Sequence, residues 1–290
     1  MFWNDVSIFY ESRIDRTMTL TDKPLKTLLL TGAAGALGRV LAPPLRAVCE
    51  QLVLSDLPAP LVTLGEADAV PCDLADAAAV HGLMTGVDAV VHLGGVSVEG
   101  PFEPILQANI RGLFNLYEAA RRLGTKRIVF ASSNHVTGCY AQGQTISPTD
   151  PVRPDGYYGL SKMFGEGMAS LYFDRYGIET VCLRIGTATV EPPDRRGLAT
   201  WLSHRDLASL VIASLTTPGV GFTIAYGMSD NPRGWWDTRE AWAKLGFEPQ
   251  DSSEPWAEKL KDTGPPPGST AARLQGGVFL DIGPFDPPAP

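Results

Sequence analysis

Six short apolar runs recur between Lys26 and Ile185, and segments of helical spacing separate them. The runs are Thr27–Thr31, Gln51–Ser55, Ala69–Cys72, Ala89–Leu93, Arg127–Ala131 and Thr180–Ile185. Their apolar character is near-continuous rather than alternating, which is expected of strands covered on both faces. Strand and helix alternate in chain order, so the pattern predicts a parallel sheet with helices on both sides.

The first helical segment, from about Ala36 to Val48, contains Pro43 and Pro44. Proline removes a backbone donor and clashes with the previous turn, so a kink or break is expected there. Past Gly186 the alternation loosens, and Pro, Gly and Trp become frequent. Helices at Arg205–Ser214 and Thr238–Leu245 and a strand at Phe222–Tyr226 are expected as parts of a small lobe. The Pro-rich stretches Gly264–Gly268 and Pro284–Pro290 read as extended or disordered. The predicted class is α/β, a doubly wound parallel sheet with a small C-terminal substrate lobe. Residues 1–24 are expected to be a flexible extension, with Met18 an alternative start. Residues 25–186 are expected to form the sheet-bearing domain, and residues 187–290 the lobe and tail, interleaved with it.

Composition narrows the function classes. With 290 residues, 44% of them hydrophobic, the chain can bury a sizeable core, and a net charge of -8 argues against nucleic acid or an anionic membrane as partner. No apolar run approaches the ~20 residues of a transmembrane helix, and the acidic N-terminal stretch lacks the order of a signal peptide. Cys49, Cys72, Cys139 and Cys182 are scattered without a CxxC pair, which suggests reduced thiols and a cytoplasmic location. His81, His92, His135 and His204 lack zinc-ligand spacing, so no metal is expected.

The candidate chemistry begins at Thr31-Gly-Ala-Ala-Gly-Ala-Leu-Gly38, directly after the first strand. Gly32, Gly35 and Gly38, with Ala36 and Leu37 between them, permit a tight turn and close backbone approach to a pyrophosphate. Asp56 ends the second strand, where a carboxylate can accept both ribose hydroxyls and repel the 2'-phosphate of NADP. NAD is therefore the expected cofactor, and Arg39 is the residue that argues the other way. Asp73 and Leu74 follow the third strand and can flank the adenine, although a capping aspartate reads equally well. Leu93, Gly94 and Gly95 follow the fourth strand and again let backbone approach a ligand. All lie where ligands bind in such sheets, at the carboxyl ends of the strands.

Tyr158 and Lys162 lie four apart and share one helical face, so an ammonium can favour the phenolate. Bringing a tyrosine from ~10 to neutrality needs about 4 kcal/mol. One cation at about 4 Å in an effective dielectric of ~20 supplies roughly that. Ser133 can hold a substrate oxygen beside them. Arg196 offers a guanidinium fork that matches a carboxylate, or is a surface arginine in the run Asp194–Arg196. Ser97 reads also as a turn residue and His135 as a packed imidazole.

Glycine turn, acidic ribose residue, serine and YxxxK stand in the order that resembles the extended short-chain dehydrogenase/reductase superfamily, with its Rossmann fold. Longer strings, among them VVHLGGVSVEGPFE, RIVFASSNH, RPDGYYGLSK and LQGGVFLD, resemble the uronate dehydrogenase family within it. The resemblance implies oxidation of a hexuronate at its anomeric carbon to an aldarate lactone, with NAD as hydride acceptor. It implies catalysis by Tyr158, Lys162 and Ser133, and substrate contacts at Ser97, Ser133, Asn134, His135, Tyr158, Thr187 and Arg196. It adds Asn109, Ser132 and Ile185 to the cofactor site, with Asn109 opening a helix and supporting the lysine. A homo-oligomer is also expected. Ala36, Thr187 and Cys139 depart from the family pattern, where glutamine, serine and an aromatic residue are frequent. Two other readings stand beside this one: a nucleotide-sugar epimerase or dehydratase, and a non-catalytic NAD sensor.

Overall fold

The structure, a computed structural model, describes residues 23–285. Of the expected N-terminal extension only Lys23 and Pro24 are among them; Met18 and the tail beyond Phe285 lie outside the described residues.

Seven parallel strands form one sheet in the order β3-β2-β1-β4-β5-β6-β9. They are β1 (Leu25–Thr31), β2 (Cys49–Asp56), β3 (Val70–Pro71), β4 (Ala89–His92), β5 (Arg127–Ser133), β6 (Glu179–Ile185) and β9 (Phe222–Gly227). Two further short strands, β7 (Thr187–Ala188) and β8 (Trp201–Leu202), pair with each other beside it. Continuous apolar character in the strands has the expected cause. Leu28 and Leu30 of β1 enter one core while Leu29 enters the other, and Val91 and Val90 of β4 divide the same way. Each fully buried leucine contributes about 2 kcal/mol through area removed from water.

Helix α1 (Ala36–Leu45) and helix α4 (His204–Thr216) cover one face; α2 (Gly112–Leu123) and α3 (Tyr157–Tyr176) cover the other. The register brings the carboxyl ends together: Thr31 pairs with Ser55 and His92, and Ser133 pairs with Ile185. Strand order reverses between β1 and β4, so a crevice opens at that rim.

Several expectations are corrected. Helix α1 runs through Pro43 and Pro44 without a break and ends at Leu45 rather than near Val48. Both prolines fall in its last turn, where few bonds remain to lose, and Leu41, Ala42 and Leu45 keep the turn buried. Strand β3 is two residues long and exposed, an edge rather than a buried strand. The strand expected in the C-terminal lobe is β9, which joins the main sheet beside β6. The Pro-rich segment Gly264–Gly268 is folded into turns, with the Ser269 amide donating to the Pro266 carbonyl. Among the described residues no helix is long and apolar enough to cross a membrane.

Candidate active site

A cleft of about 790 Å³ opens at the carboxyl rim of the sheet. At one end lies the turn from β1 into α1, lined by Gly32, Gly35, Ala36, Leu37 and Gly38. Gly32 has a φ of +70°, and a Cβ there would fall 2.8 Å from the Gly94 amide nitrogen. A Cβ at Gly38 would fall 2.3 Å from the Gly32 carbonyl. The turn is therefore closed to side chains, and α1 begins at Gly35 without a side-chain cap, which leaves its first amides for a ligand.

Asp56 lines the same end, its Oδ2 accepting from the Ala34 amide at 2.9 Å and its Oδ1 from the Leu57 amide at 2.8 Å. Arg39 is tied to the Ala34 carbonyl at 3.0 Å and the Thr63 hydroxyl at 2.8 Å. A glycine cradle, an open helix start and an acidic rim fit the pyrophosphate and ribose of NAD. Leu93, Gly95, Ser132 and Ile185 continue the lining.

Asp73, Leu74, Gly94 and Asn109 are not in that lining. The Asp73 carboxylate accepts from the Ala75 amide at 2.9 Å, capping its own turn. Leu74 fills the space beside Gly94 and Gly112. Asn109 lies inside a π-helical segment, Leu106–Arg111, rather than opening a helix. Its side chain clamps both backbone groups of Val96 and donates to Ser161 Oγ at 2.9 Å, so it braces the loop carrying Ser97.

Ser133, Tyr158 and Lys162 converge in the middle of the cleft. Lys162 Nζ sits 5.5 Å from the Tyr158 ring centroid and donates to the Ala131 carbonyl at 2.8 Å. Burial pulls the Lys162 ammonium down to about 8. It pushes the Tyr158 phenol up to about 12, against a hydrogen bond from Ser133 that favours the anion, with the Asp155 charge adding to the rise. The spacing brings lysine and tyrosine together, and the burial of both opposes their ionised forms.

At the far end Ser97, Asn134, His135, Thr187 and Arg196 line the wall. With its amide turned to satisfy both neighbours, Asn134 donates to the Ile185 carbonyl at 3.0 Å and accepts from Arg196 Nη2 at 2.8 Å. Arg196 also donates to the Gln275 carbonyl at 2.7 Å and to Thr187 Oγ1 at 3.3 Å. All of these acceptors are neutral, and burial lowers its pKa, the charges of Asp194 and Asp155 opposing.

Four contributors escape the sequence reading. Glu99 accepts from the Tyr157 and Tyr158 amides at 2.9 and 2.8 Å, an anion at the start of α3 that sets the tyrosine's position. Glu166 accepts from Ser132 Oγ at 2.7 Å and from Arg184 at 2.8 Å, a buried pair beneath β5. Asp155 meets His135, and the segment Gly276–Phe279 closes over the cleft. None has a local signature, because each partner lies many residues away; LQGGVFLD alone hinted at the last.

The NAD dependent epimerase/dehydratase family matches residues 28–215. A uronate dehydrogenase of Pseudomonas syringae pv. tomato is 55% identical over 268 residues, 91% of this chain and 97% of that protein. A mutant uronate dehydrogenase from Agrobacterium tumefaciens, crystallised with NAD, superposes with a TM-score of 0.85 at 48% identity, covering 91% of this chain and 100% of that one. A glucuronic acid dehydrogenase from Chromohalobacter salexigens gives 0.84 at 49% identity, covering 89% of this chain and 98% of that one. The chain is thus an NAD-dependent oxidoreductase of the epimerase/dehydratase family, and within that family it belongs to the uronate dehydrogenases.

Proposed function

We propose that the protein oxidises a free hexuronate, galacturonate or glucuronate, at its anomeric carbon. The observation that carries this reading is Arg196: a half-buried guanidinium on the cleft wall with neutral acceptors and, among the described residues, no carboxylate in ion-pair reach. Asp194 and Asp155 act on this cation only at longer range, so a sugar carboxylate would be its direct, bidentate partner. Asn134 and Thr187 hold the fork, so they orient the carboxylate through it.

Tyr158 then serves as the base for the C1 hydroxyl. The O–H bond breaks toward the phenolate oxygen, the C1–H bond breaks with its electron pair, and a C1 carbonyl forms within the ring, giving a lactone. NAD, when bound, supplies the hydride acceptor. Ser133 hydrogen-bonds the substrate oxygen, and Lys162 stabilises the phenolate. A positive charge nearby strengthens that effect in the low dielectric around these buried side chains. General-base assistance of this kind contributes roughly 10²- to 10⁴-fold, and positioning adds to it.

Uronate deuterated at C1 tests the reaction. Deuterium should appear in the reduced cofactor, and carbon NMR should show a lactone before any open aldarate. Unlabelled NADH, or open aldarate as the first product, would overturn the mechanism. A second copy of the chain belongs to the proposal too: Phe114, Leu160, Phe164 and Leu171 stand exposed on α2 and α3. Light scattering should give a multiple of 31.1 kDa; a monomer would refute the assembly.

A further inference from the structure

Asp155 has no part in the reaction as written, yet it is built into the wall of the site. Its side chain is 1% exposed, and its Oδ2 lies 2.6 Å from Nδ1 of His135. The carboxylate is cradled by glycines: a Cβ at Gly138 or at Gly276 would fall 1.8 Å from Oδ2. The Gly276 amide donates to the Gly138 carbonyl at 2.8 Å, which closes the cradle. Its other oxygen, Oδ1, is buried without a hydrogen-bond partner among the described residues, so this carboxylate's side-chain hydrogen bond goes to His135.

The imidazole is held on its other sides as well. Phe279 stacks on it at 3.9 Å and 14°, and Tyr158 meets it edge-on at 5.8 Å. A flipped ring would bring a C–H to the carboxylate. Among the described residues Nε2 makes no hydrogen bond, and His135 lines the cleft, so Nε2 is the ring's polar atom left for a ligand.

An ionised carboxylate only accepts, so Nδ1 must donate, and in the neutral ring the lone pair then sits on Nε2. We infer that Asp155 is a positioning residue that fixes His135 as the Nδ1–H tautomer, making Nε2 an acceptor for a ring hydroxyl of the sugar acid. The inference rests on the uronate reading and sharpens it. A free hydroxyl is required opposite Nε2, and a uronate O-methylated at that ring hydroxyl has no proton to give there and binds more weakly.

The test uses the full chain with NAD bound and ¹⁵N-labelled imidazoles, followed by long-range proton–nitrogen correlation at pH 8, with the His135 signals identified by their loss in His135→Gln. The expected result is a proton on Nδ1 and none on Nε2. Asp155→Asn, whose amide can donate to Nδ1, should move the proton to Nε2. It should lower kcat/KM for the uronate roughly 10- to 100-fold, mainly through KM, with the Kd of NAD unchanged. A proton on Nε2 of the unaltered protein, in a neutral or a cationic ring, would overturn the inference without any variant having to fold. So would an unchanged tautomer, or an unchanged KM, in Asp155→Asn. If uronates gave no NADH while Nδ1 carried the proton, the sugar-acid reading would fall and the Asp155–His135 pairing would stand.

Discussion

Replacing Arg196 by methionine removes the guanidinium and keeps most of the side chain's length and apolar stem. Three neutral groups hold the fork at present: the Gln275 carbonyl, Thr187 Oγ1 and the Asn134 amide oxygen. They take one N–H from each of its three nitrogens and bring no charge of their own. On the proposed reading that charge is met by the substrate's carboxylate, and removing one member of a desolvated pair costs about 3–5 kcal/mol. At about 1.4 kcal/mol per tenfold change, this is a fall in kcat/KM of roughly 10²-fold to several thousandfold for galacturonate or glucuronate. The matching neutral hexose carries a hydroxymethyl group in place of the carboxylate and has no such interaction to lose. Arg196→Met should therefore leave the weak turnover of neutral sugar nearly unchanged and collapse the preference between the two. NADH absorbance under initial-rate conditions reads both substrates, and NAD binding measured separately controls for folding. An equal loss on uronate and neutral sugar, or a uronate loss below about threefold, would refute the reasoning.

Tyr158→Phe should lower kcat by roughly 10²- to 10⁴-fold and leave the Kd of NAD within a factor of about two, since it removes the proposed base and little packing; retained turnover would exclude Tyr158. Asp56→Ser should raise KM for NAD and improve use of NADP, because the carboxylate at the end of β2 is lost; steady-state kinetics with both cofactors decide this, and an unchanged preference would mean that Asp56 does not read the ribose. His92 is fully buried beside Thr31 Oγ1 at 2.8 Å, and burial pulls it down to about 3. Its folded pKa lies below its unfolded one, so below about pH 6.5 the unfolded chain takes up a proton that the folded chain refuses. Stability should fall with falling pH from there toward 3, by up to about 1.4 kcal/mol per pH unit from this group. Urea midpoints should show that slope, and His92→Gln should flatten it; an identical slope in the variant would contradict the assignment.

Much of the molecule is legible along the chain because its signals are local. The buried strands announce themselves through continuous apolar runs, and the glycine turn and Asp56 through their place after β1 and at the end of β2. Tyr158 and Lys162 are legible through helical spacing. What spacing does not carry is the medium: both groups are desolvated, so the phenol rises to about 12 where a simple pair energy would lower it. The prolines of α1 mislead for a similar reason, since burial of Leu41 and Leu45 outweighs a local rule at the helix end. Glu99, Asp155 and Gln275 stay hidden because their partners are distant; Gln275, for instance, takes the Trp236 indole N–H at 2.8 Å and offers its carbonyl to Arg196. Such contacts exist only once the C-terminal segment has folded back over the rim.

The most direct test of the account is NADH formation by the unaltered protein with NAD and, in parallel, galacturonate, glucuronate and their neutral hexoses. Rapid turnover of the uronates with neutral sugars lower by roughly 10²-fold or more is the predicted result. Equal turnover of acid and neutral sugar, or NAD bound with no NADH from any uronate, would contradict it.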